Sequence, residues 1–217
     1  MRRRVLVVAG ASAAVALAVA GGVAYSRPDA PSAAPGTAPA PSAAVESACG
    51  LSGTPGDGTQ GAAAATWAEV SGWPLPTSTT DGPGTRTPTG PWSCFTHTPS
   101  GAVLAGYVIA MRSTGLADDW RAVVREQTIP GPGQAVLLGS VPNTPDVVTP
   151  RGYDLAAYDE SRATIRYRLS TATGEFSCTT DVRWSDNDWR LVLGDDGSTS
   201  SGCARGVPEA FTPWGPT

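Results

Sequence analysis

The fold is decided by the stretch RATIRYRLSTATGEFSCTTDVRWSDNDWRLVL, residues 162–193. Its first part alternates apolar residues with arginine or threonine, the apolar ones being Ala163, Ile165, Tyr167 and Leu169. Its second part alternates in the same way through Phe176, Cys178, Thr180, Val182 and Trp184. Because strand side chains point to opposite faces with a period of two, each part predicts a strand with one buried and one solvated face.

Two predicted turns divide this stretch into an antiparallel meander. Residues 171–174 join the first two strands, and residues 185–188 (Ser-Asp-Asn-Asp) lead into a third strand at residues 189–193. Gly, Asn, Asp and Ser favour turns because they tolerate left-handed backbone or bond to their own backbone. An earlier strand is predicted around Tyr153, Leu155 and Ala157.

Two helices are predicted ahead of the meander. After a helix start at residues 98–100 (Thr-Pro-Ser), apolar residues recur at helical spacing: Val103, Leu104, Tyr107, Val108 and Met111. Asp118 and Asp119 begin a second helix, which residues 130–133 (Pro-Gly-Pro-Gly) end. Residues 73–92, rich in Pro, Gly and Thr, are predicted to be irregular. Helices followed by a meander predict the α+β class, with both helices packed on a curved antiparallel sheet.

The first 27 residues predict a transmembrane anchor or a signal segment. An arginine triplet at residues 2–4 precedes an uncharged, mostly apolar run at residues 5–25, and Arg27 follows it. As a helix this run spans roughly 30 Å, the thickness of the hydrocarbon core of a bilayer. The positive-inside tendency predicts a single-pass cell-membrane protein with a cytoplasmic N-terminus and an extracellular C-terminal domain. Residues 18–20 (Ala-Val-Ala) resemble a signal-peptide cleavage site, so a cleaved and secreted form is the alternative.

Residues 28–47 predict a disordered linker. They are mainly Pro, Ala and Ser with almost no large apolar side chain, and such a segment cannot bury enough surface to offset its ordering entropy. Residues 48–217 are then the extracytoplasmic domain, and their number suits one ordinary domain.

The charge balance argues against nucleic-acid binding. All 15 basic residues are arginine, and all 19 acidic residues follow residue 27. The exported part therefore has 11 arginines and a net charge of −8. Neutralisation of phosphates supplies most non-specific affinity for nucleic acids, so we expect no nucleic-acid partner.

All the cysteines lie in the exported part: Cys49, Cys94, Cys178 and Cys203. An even count in an oxidising compartment predicts two disulfides. Three pairings are possible, and Cys49–Cys94 with Cys178–Cys203 is favoured because each bond then ties a terminal arm to the nearby domain body. Free buried thiols are the alternative. No metal site is expected, because there is no CxxC spacing and His97 is the only histidine.

His97 is the one candidate for a catalytic base. A Ser–His–Asp arrangement needs a nucleophilic serine, and the sequence has no G-x-S-x-G elbow. The predicted role of His97 is therefore to cap the first helix or to pack against it. For Trp184 and Trp189, core packing is favoured over ligand binding, because aromatic residues in alternating strands usually face a core.

Three carboxylates near a strand end, Asp154, Asp159 and Glu160, could do acid–base chemistry if their pKa values were driven apart. Their spacing favours an ordinary turn instead. Residues 186–188 and 195–197 lack the remainder of a calcium-loop pattern and are also predicted to be hairpin turns. The sequence therefore predicts no catalytic, cofactor-binding or metal-binding residue.

The tryptophan hairpin, residues 182–193 (VRWSDNDWRLVL), resembles the last two strands of the NTF2-like (cystatin-like cone) superfamily. In that superfamily a W-x-x-x-x-W-[KR]-[LIV] hairpin commonly follows a helical first half. The resemblance implies an NTF2-like cone, in which helices pack on a curved antiparallel sheet.

Pieces covering most of the exported domain resemble a family of actinobacterial membrane-anchored proteins encoded on integrative and conjugative elements. The similar pieces are Cys49-Gly50-Leu51, Trp67, Asp81-Gly82-Pro83, residues 94–102 (CFTHTPSGA), residues 130–133, the tryptophan hairpin and Pro213-Trp214-Gly215. That family resembles the bitopic channel proteins of conjugation systems (VirB8-like and TcpC-like), which place an NTF2-like domain outside one membrane helix. The analogy supplies no catalytic residues.

Two functional hypotheses follow. The leading one is a non-enzymatic, membrane-anchored extracytoplasmic protein, a structural or assembly component linked to conjugative transfer. Its expected partners are envelope or conjugation-apparatus proteins, or further copies of the chain, and no cofactor is expected. The alternative is a secreted small-molecule-binding domain, or an enzyme, that uses the cone as a pocket. It predicts a deep cavity with convergent polar groups.

Overall fold

Strands predominate in the computed structural model, which describes residues 49–54, 62–141, 146–206 and 210–217. The strands are β1 (Thr66–Val70), β2 (Trp73–Thr77), β3 (Thr85–Arg86), β4 (Trp92–Ser93), β5 (Thr149–Asp159), β6 (Arg162–Thr171), β7 (Gly174–Ser185), β8 (Asp188–Val192), β9 (Gly202–Arg205) and β10 (Thr212–Pro213). The helices are α1 (Pro99–Met111), α2 (Trp120–Gln127) and α3 (Pro132–Gly139), and a π-helical turn (Arg112–Leu116) follows α1.

Six strands form one antiparallel sheet, in the order β10-β5-β6-β7-β8, with β9 pairing the other end of β7. The strand pattern read from residues 162–193 is confirmed, because β6, β7 and β8 pair as consecutive hairpins. Asp186 and Asn187 have φ values of 52° and 61° in the turn between β7 and β8. These are residue types that tolerate left-handed backbone, as a two-residue hairpin requires.

Helix α1 begins where the sequence predicts. The Thr98 hydroxyl accepts a hydrogen bond from the N–H of Gly101 at 3.0 Å, which caps the helix. The helix lies close to the sheet, since a Cβ at Gly106 would stand 2.6 Å from the hydroxyl of Tyr167. That hydroxyl donates to the carbonyl of Val103 at 2.7 Å, so α1 is tied to β6 by a buried hydrogen bond.

The second predicted helix is also present, but its predicted stop signal has a further role. Asp119 caps α2 by accepting a hydrogen bond from the N–H of Ala122 at 3.1 Å. Gly131 and Pro132, within the segment predicted to end the helix, begin α3 instead. Pro is well suited to the first helical turn, where its missing N–H has no intrahelical partner.

The segment predicted to be irregular, residues 73–92, contributes three strands and part of the core. Trp73 is 3% exposed and Leu75 is fully buried on β2, and Trp92 is 7% exposed on β4. β2 pairs with β1 as a hairpin. Tertiary burial of these large apolar side chains overrides the weak strand preference of the surrounding Pro and Gly residues.

The predicted fold class, an α+β NTF2-like cone of helices packed on a curved antiparallel sheet, is wrong. Strands make up 39% of the described residues and helices 22%, and the helices are three short ones beside a large six-stranded sheet. The half expected to be helical instead begins with two small hairpins, β1–β2 and β3–β4. Local periodicity identified α1, α2 and the meander strands, but it does not determine how short strands and helices assemble.

The predicted anchor (residues 1–27) and linker (residues 28–47) lie outside the described residues. Within the described part of the chain, no helix has the length and apolar character needed to cross a bilayer. All the described residues belong to one compact unit, Ser42–Thr217.

Candidate functional site

The candidate site is a cavity of about 310 Å³ between the C-terminal part of α1 and the inner face of the sheet, called here the α1–β7 cavity. This volume lies at the lower end of the range of small-molecule sites. The described residues that line it are Trp73, Tyr107, Ala110, Met111, Thr114, Val148, Tyr167, Leu169, Phe176, Cys178, Thr180, Thr199, Ser200 and Cys203.

Strand alternation explains the sheet wall of the α1–β7 cavity. Tyr167 pairs with Cys178 and Leu169 pairs with Phe176, so these side chains lie side by side on the inner face of β6 and β7. They are the apolar positions of the alternation seen in the sequence. The sequence thus predicted which residues form this wall. No local sequence pattern indicated that a cavity lies next to it.

The helical wall of the α1–β7 cavity comes from the end of α1 and the π-helical turn. Tyr107, Ala110 and Met111 lie three or four residues apart, which places them on one side of α1. Thr114 follows within the π-helical turn, where its φ and ψ of −90° and 17° are not helical. Gly115 follows with a φ of 96°, so the chain is kinked at the end of α1.

One polar group in this wall is unusual. The hydroxyl of Tyr107 is buried and has no hydrogen-bond partner among the described residues. Burial raises the pKa of Tyr107 above its ordinary range, so this phenol stays neutral. The Tyr167 hydroxyl, in contrast, bonds to Val103, and Thr114 donates to the carbonyl of Met111 at 2.8 Å. Buried polar groups nearly always have a partner, so the Tyr107 hydroxyl needs an explanation.

A disulfide borders the solvent side of the α1–β7 cavity. Cys178 on β7 and Cys203 on β9 are register partners, with Cα atoms 4.1 Å apart, and they are bonded. Cys203 is exposed, and Thr199 and Ser200 beside it are half-buried. The bond therefore holds β9 and the preceding loop as a fixed rim.

The second disulfide joins Cys49 to Cys94, with Cα atoms 5.9 Å apart. Both bonds are present with the pairing that the sequence favoured, and no free cysteine occurs in the part of the chain that the structure describes. The Cys49–Cys94 bond ties the start of the described domain to the segment between β4 and α1.

His97 is placed in an aromatic cluster rather than in a catalytic one. Its ring stacks on Trp184 with centroids 4.0 Å apart and planes at 10°, and it meets Trp189 edge-on at 5.7 Å. Its Nε2 forms a hydrogen bond with the carbonyl oxygen of Glu160. The ring packs next to the start of α1, while Thr98 and not His97 caps that helix. Trp189 is fully buried, in accord with the core role predicted for it.

The structure separates the three candidate carboxylates into ordinary roles. Asp154 forms an ion pair with Arg166 across β5 and β6. Asp159 accepts hydrogen bonds from the N–H and the hydroxyl of Ser161, each at 2.7 Å, and these bonds lower the pKa of the Asp159 carboxyl. Glu160 contributes its backbone carbonyl to His97. The turn role predicted for Asp159 is confirmed by these contacts.

The two candidate calcium segments are turns as well. Asp186 pairs with Arg190 at 2.9 Å, and Asp196 accepts a hydrogen bond from the N–H of Ser198 at 2.9 Å. Asp188 is bound to backbone N–H groups. Across residues 49–54, 62–141, 146–206 and 210–217, no three His, Cys, Asp or Glu side chains form a group able to hold a metal ion.

Sequence reasoning missed two carboxylates, one buried and one half-buried, that organise the region around α1. Asp81 is fully buried and accepts hydrogen bonds from the hydroxyls of Thr54, Thr80, Thr96 and Thr98 and from the N–H of Thr54. Asp188 accepts the N–H groups of Cys94 and Phe95. The recurrent threonines around residues 96–98 were a signal, but their common partner, Asp81, lies 15 residues from Thr96 and 17 residues from Thr98 in sequence.

These features define a strand-rich domain with two disulfides, a small apolar cavity and titratable groups that hold the backbone. The chain belongs to the family described as a domain of unknown function (DUF8175), whose family model matches residues 29–209. No curated protein and no solved structure matches the chain.

Proposed function

We propose that this protein is a non-enzymatic, membrane-anchored component of the cell envelope whose disulfide-bonded domain acts outside the cytoplasm. The observation that carries the proposal is the pairing of all four cysteines. Disulfides form and persist in oxidising compartments and are rare in the cytosol. The arginine-flanked apolar run at residues 5–25 supports a membrane anchor that leaves the domain outside the cytoplasm.

A non-enzymatic role is supported by the structural contacts that the reactive side chains of the domain make. His97 is stacked on Trp184 and bonded to a carbonyl, and Asp81 and Asp188 are saturated by hydrogen bonds from the chain. A catalytic base needs a hydrogen-bonded nucleophile or a substrate proton within reach. These groups stabilise the contacts between loops, helix and sheet instead.

The proposed biological role is a structural or assembly part in conjugative transfer, with envelope or conjugation-apparatus proteins as partners. The support for this role is the resemblance of the exported pieces to membrane-anchored proteins of integrative and conjugative elements. This resemblance is between short sequence segments, so it does not depend on the topology of the sheet.

Topology is tested on the full chain carrying a C-terminal alkaline phosphatase, with a matched chain that lacks residues 1–27. We expect phosphatase activity and membrane fractionation for the full chain, and neither for the truncated one. An inactive phosphatase on the full chain, together with a C-terminus found in the cytoplasm, would contradict the proposal.

The role is tested by crosslinking in donor cells followed by affinity purification of the full chain. We expect an envelope or conjugation-apparatus protein to be recovered, and a deletion strain to transfer its element at least tenfold less often. Complementation with the wild-type chain should restore transfer. Unchanged transfer in the deletion strain would reject the role in conjugation while leaving the topology result intact.

A further inference from the structure

We infer that the α1–β7 cavity is a binding site for one uncharged, largely apolar small molecule. This inference goes beyond the proposed envelope function and does not depend on the identity of a protein partner. It is argued from the charge, the size and the rim of the cavity.

The described part of the lining disfavours a charged ligand. None of the described residues that line the α1–β7 cavity is Asp, Glu, Arg or His. An ion placed against Leu169, Phe176 and Met111 would lose its hydration without gaining a counter-charge, which costs far more than apolar contacts return. An uncharged molecule with mostly carbon surface gains from the same contacts.

The polar groups of the lining are uncharged hydroxyls. Thr114, Thr199 and Ser200 line the α1–β7 cavity and are half-buried. The Tyr107 hydroxyl is enclosed within the wall and is not offered to a ligand. Binding sites commonly combine apolar walls with a few polar groups, and this arrangement fits that description.

The size and the rim favour a small, preformed site. An apolar cavity of roughly 150 Å³ takes benzene, so one of about 310 Å³ suits a two-ring molecule or an alkyl chain of similar volume. The Cys178–Cys203 bond fixes the rim, and a fixed site loses less conformational entropy when a ligand binds. Met111 lies in the wall and provides a polarisable contact that adapts to ligand shape.

The test uses benzophenone, an uncharged two-ring ketone that photolabels nearby C–H bonds, on the full chain in membranes. Labelled peptides are mapped by mass spectrometry as a function of benzophenone concentration. We expect saturable labelling of the peptide that contains Met111, reduced by an excess of unreactive diphenylmethane. Labelling that does not saturate, or that maps only outside the cavity lining, would overturn the inference.

Two variants locate the site. Ala110→Leu fills the α1–β7 cavity and should raise the half-saturating concentration at least tenfold, whereas Ala135→Leu, at an exposed position of α3, should leave it unchanged. Equal labelling of wild type and Ala110→Leu would overturn the inference.

Retention of both disulfides on a non-reducing gel shows that a variant has folded. If Ala110→Leu fails this check, Thr180→Leu fills the α1–β7 cavity from the sheet wall and takes its place. A negative labelling result leaves the topology and transfer experiments unaffected, so the inference and the proposed function are tested separately.

Discussion

The carboxylate of Asp188 accepts a hydrogen bond from the backbone N–H of Phe95 at 2.9 Å, although 93 residues separate the two in sequence. Its other oxygen accepts the N–H of Cys94 at 2.8 Å, and the N–H of Trp189 also bonds to the carboxylate. Asp188 therefore fastens the β7–β8 hairpin to the segment that leads into α1. Burial raises the pKa of Asp188, although these backbone bonds act in the opposite direction.

We predict that Asp188→Asn destabilises the protein by about 1–3 kcal/mol, because an amide NH₂ would replace one of the two accepting oxygens. The control is Asp186→Asn in the same turn. There the residue is exposed, Asn tolerates the positive φ, and loss of the ion pair with Arg190 costs at most about 1 kcal/mol. Free energies of unfolding from urea titrations compare the two. If the two variants lose the same free energy of unfolding, the hydrogen bonds from the backbone to Asp188 stabilise the protein no more than the exposed ion pair of Asp186 does.

Asp81 predicts a dependence of stability on pH. Burial by itself raises the pKa of Asp81, but hydrogen bonds from Thr54, Thr80 and Thr96 together bring it below the ordinary value. The unfolded state therefore binds a proton more readily, with a pKa of about 3.9. The stabilisation from Asp81 is complete above that pH and is lost as pH falls through the lower folded-state pKa. Asp188, whose folded pKa is raised, contributes with the opposite sign.

We expect Asp81→Asn to lower the free energy of unfolding at pH 7 by about 1–3 kcal/mol, and the difference from wild type to shrink toward pH 3. The exposed Asp146→Asn serves as the control and should follow the wild-type curve. Melting temperatures of the wild type and both variants at pH 3, 4, 5 and 7 test this expectation. A difference that is constant with pH would mean that ionised Asp81 is not what the threonines stabilise.

Three arginines stand in one row across the outer face of the sheet. Arg183 on β7 is the register partner of Arg162 on β6 and of Arg190 on β8. Like charges opposite one another in a sheet are destabilising, and the Nε of Arg183 is buried with no hydrogen-bond partner among the described residues. The ion pair of Arg190 with Asp186 offsets only part of this repulsion.

Arg183→Thr should therefore raise the free energy of unfolding by about 0.2–1 kcal/mol, since it removes the central like charge and keeps a good strand former. The gain should decrease at 1 M salt, where charges are screened within about 3 Å. Arg168→Thr is the matched control, because Arg168 pairs with Glu175 at 2.6 Å and its loss should not stabilise. Loss of stability in Arg183→Thr at low salt would show that packing of the arginine stem outweighs the repulsion.

The Cys178–Cys203 bond closes a loop with a sequence separation of 25 residues. Chain-entropy reasoning assigns about 3 kcal/mol to such a crosslink. Cys203→Ser should lower the melting temperature and leave Cys178 reactive toward a thiol reagent, whereas Ala204→Ser on the same exposed strand should do neither. Mass mapping that finds both thiols free in oxidised wild-type protein would rule out the bond.

The locally encoded parts of the fold were predictable. The β6–β7–β8 register follows from strict alternation and from turn residues at both ends, and α1 starts at the expected Thr-Pro pair. Disulfide pairing was also within reach, because each bond joins cysteines in the same half of the domain. These features depend on neighbours within a few tens of residues.

The fold class was not predictable in the same way. Strands β1 to β4 are short and contain or border Pro and Gly, so their local preference is weak, and burial of Trp73, Leu75 and Trp92 stabilises them. The segment at residues 130–133 carries both a stop signal and a start signal, and it serves as the start of α3. The NTF2-like interpretation relied on one hairpin, which many antiparallel sheets share.

The sequence by itself determined the meander, the caps of α1 and α2, the net charge of the chain after residue 27 and the cysteine partners, because periodicity, capping and composition act over short separations. Only the tertiary structure decided that Asp188 would bind Phe95 and that Tyr107 would line a cavity with its hydroxyl unpartnered. Both depend on where α1 lies over the sheet. That position is set by the summed packing of residues distant in sequence, and no local pattern encodes it.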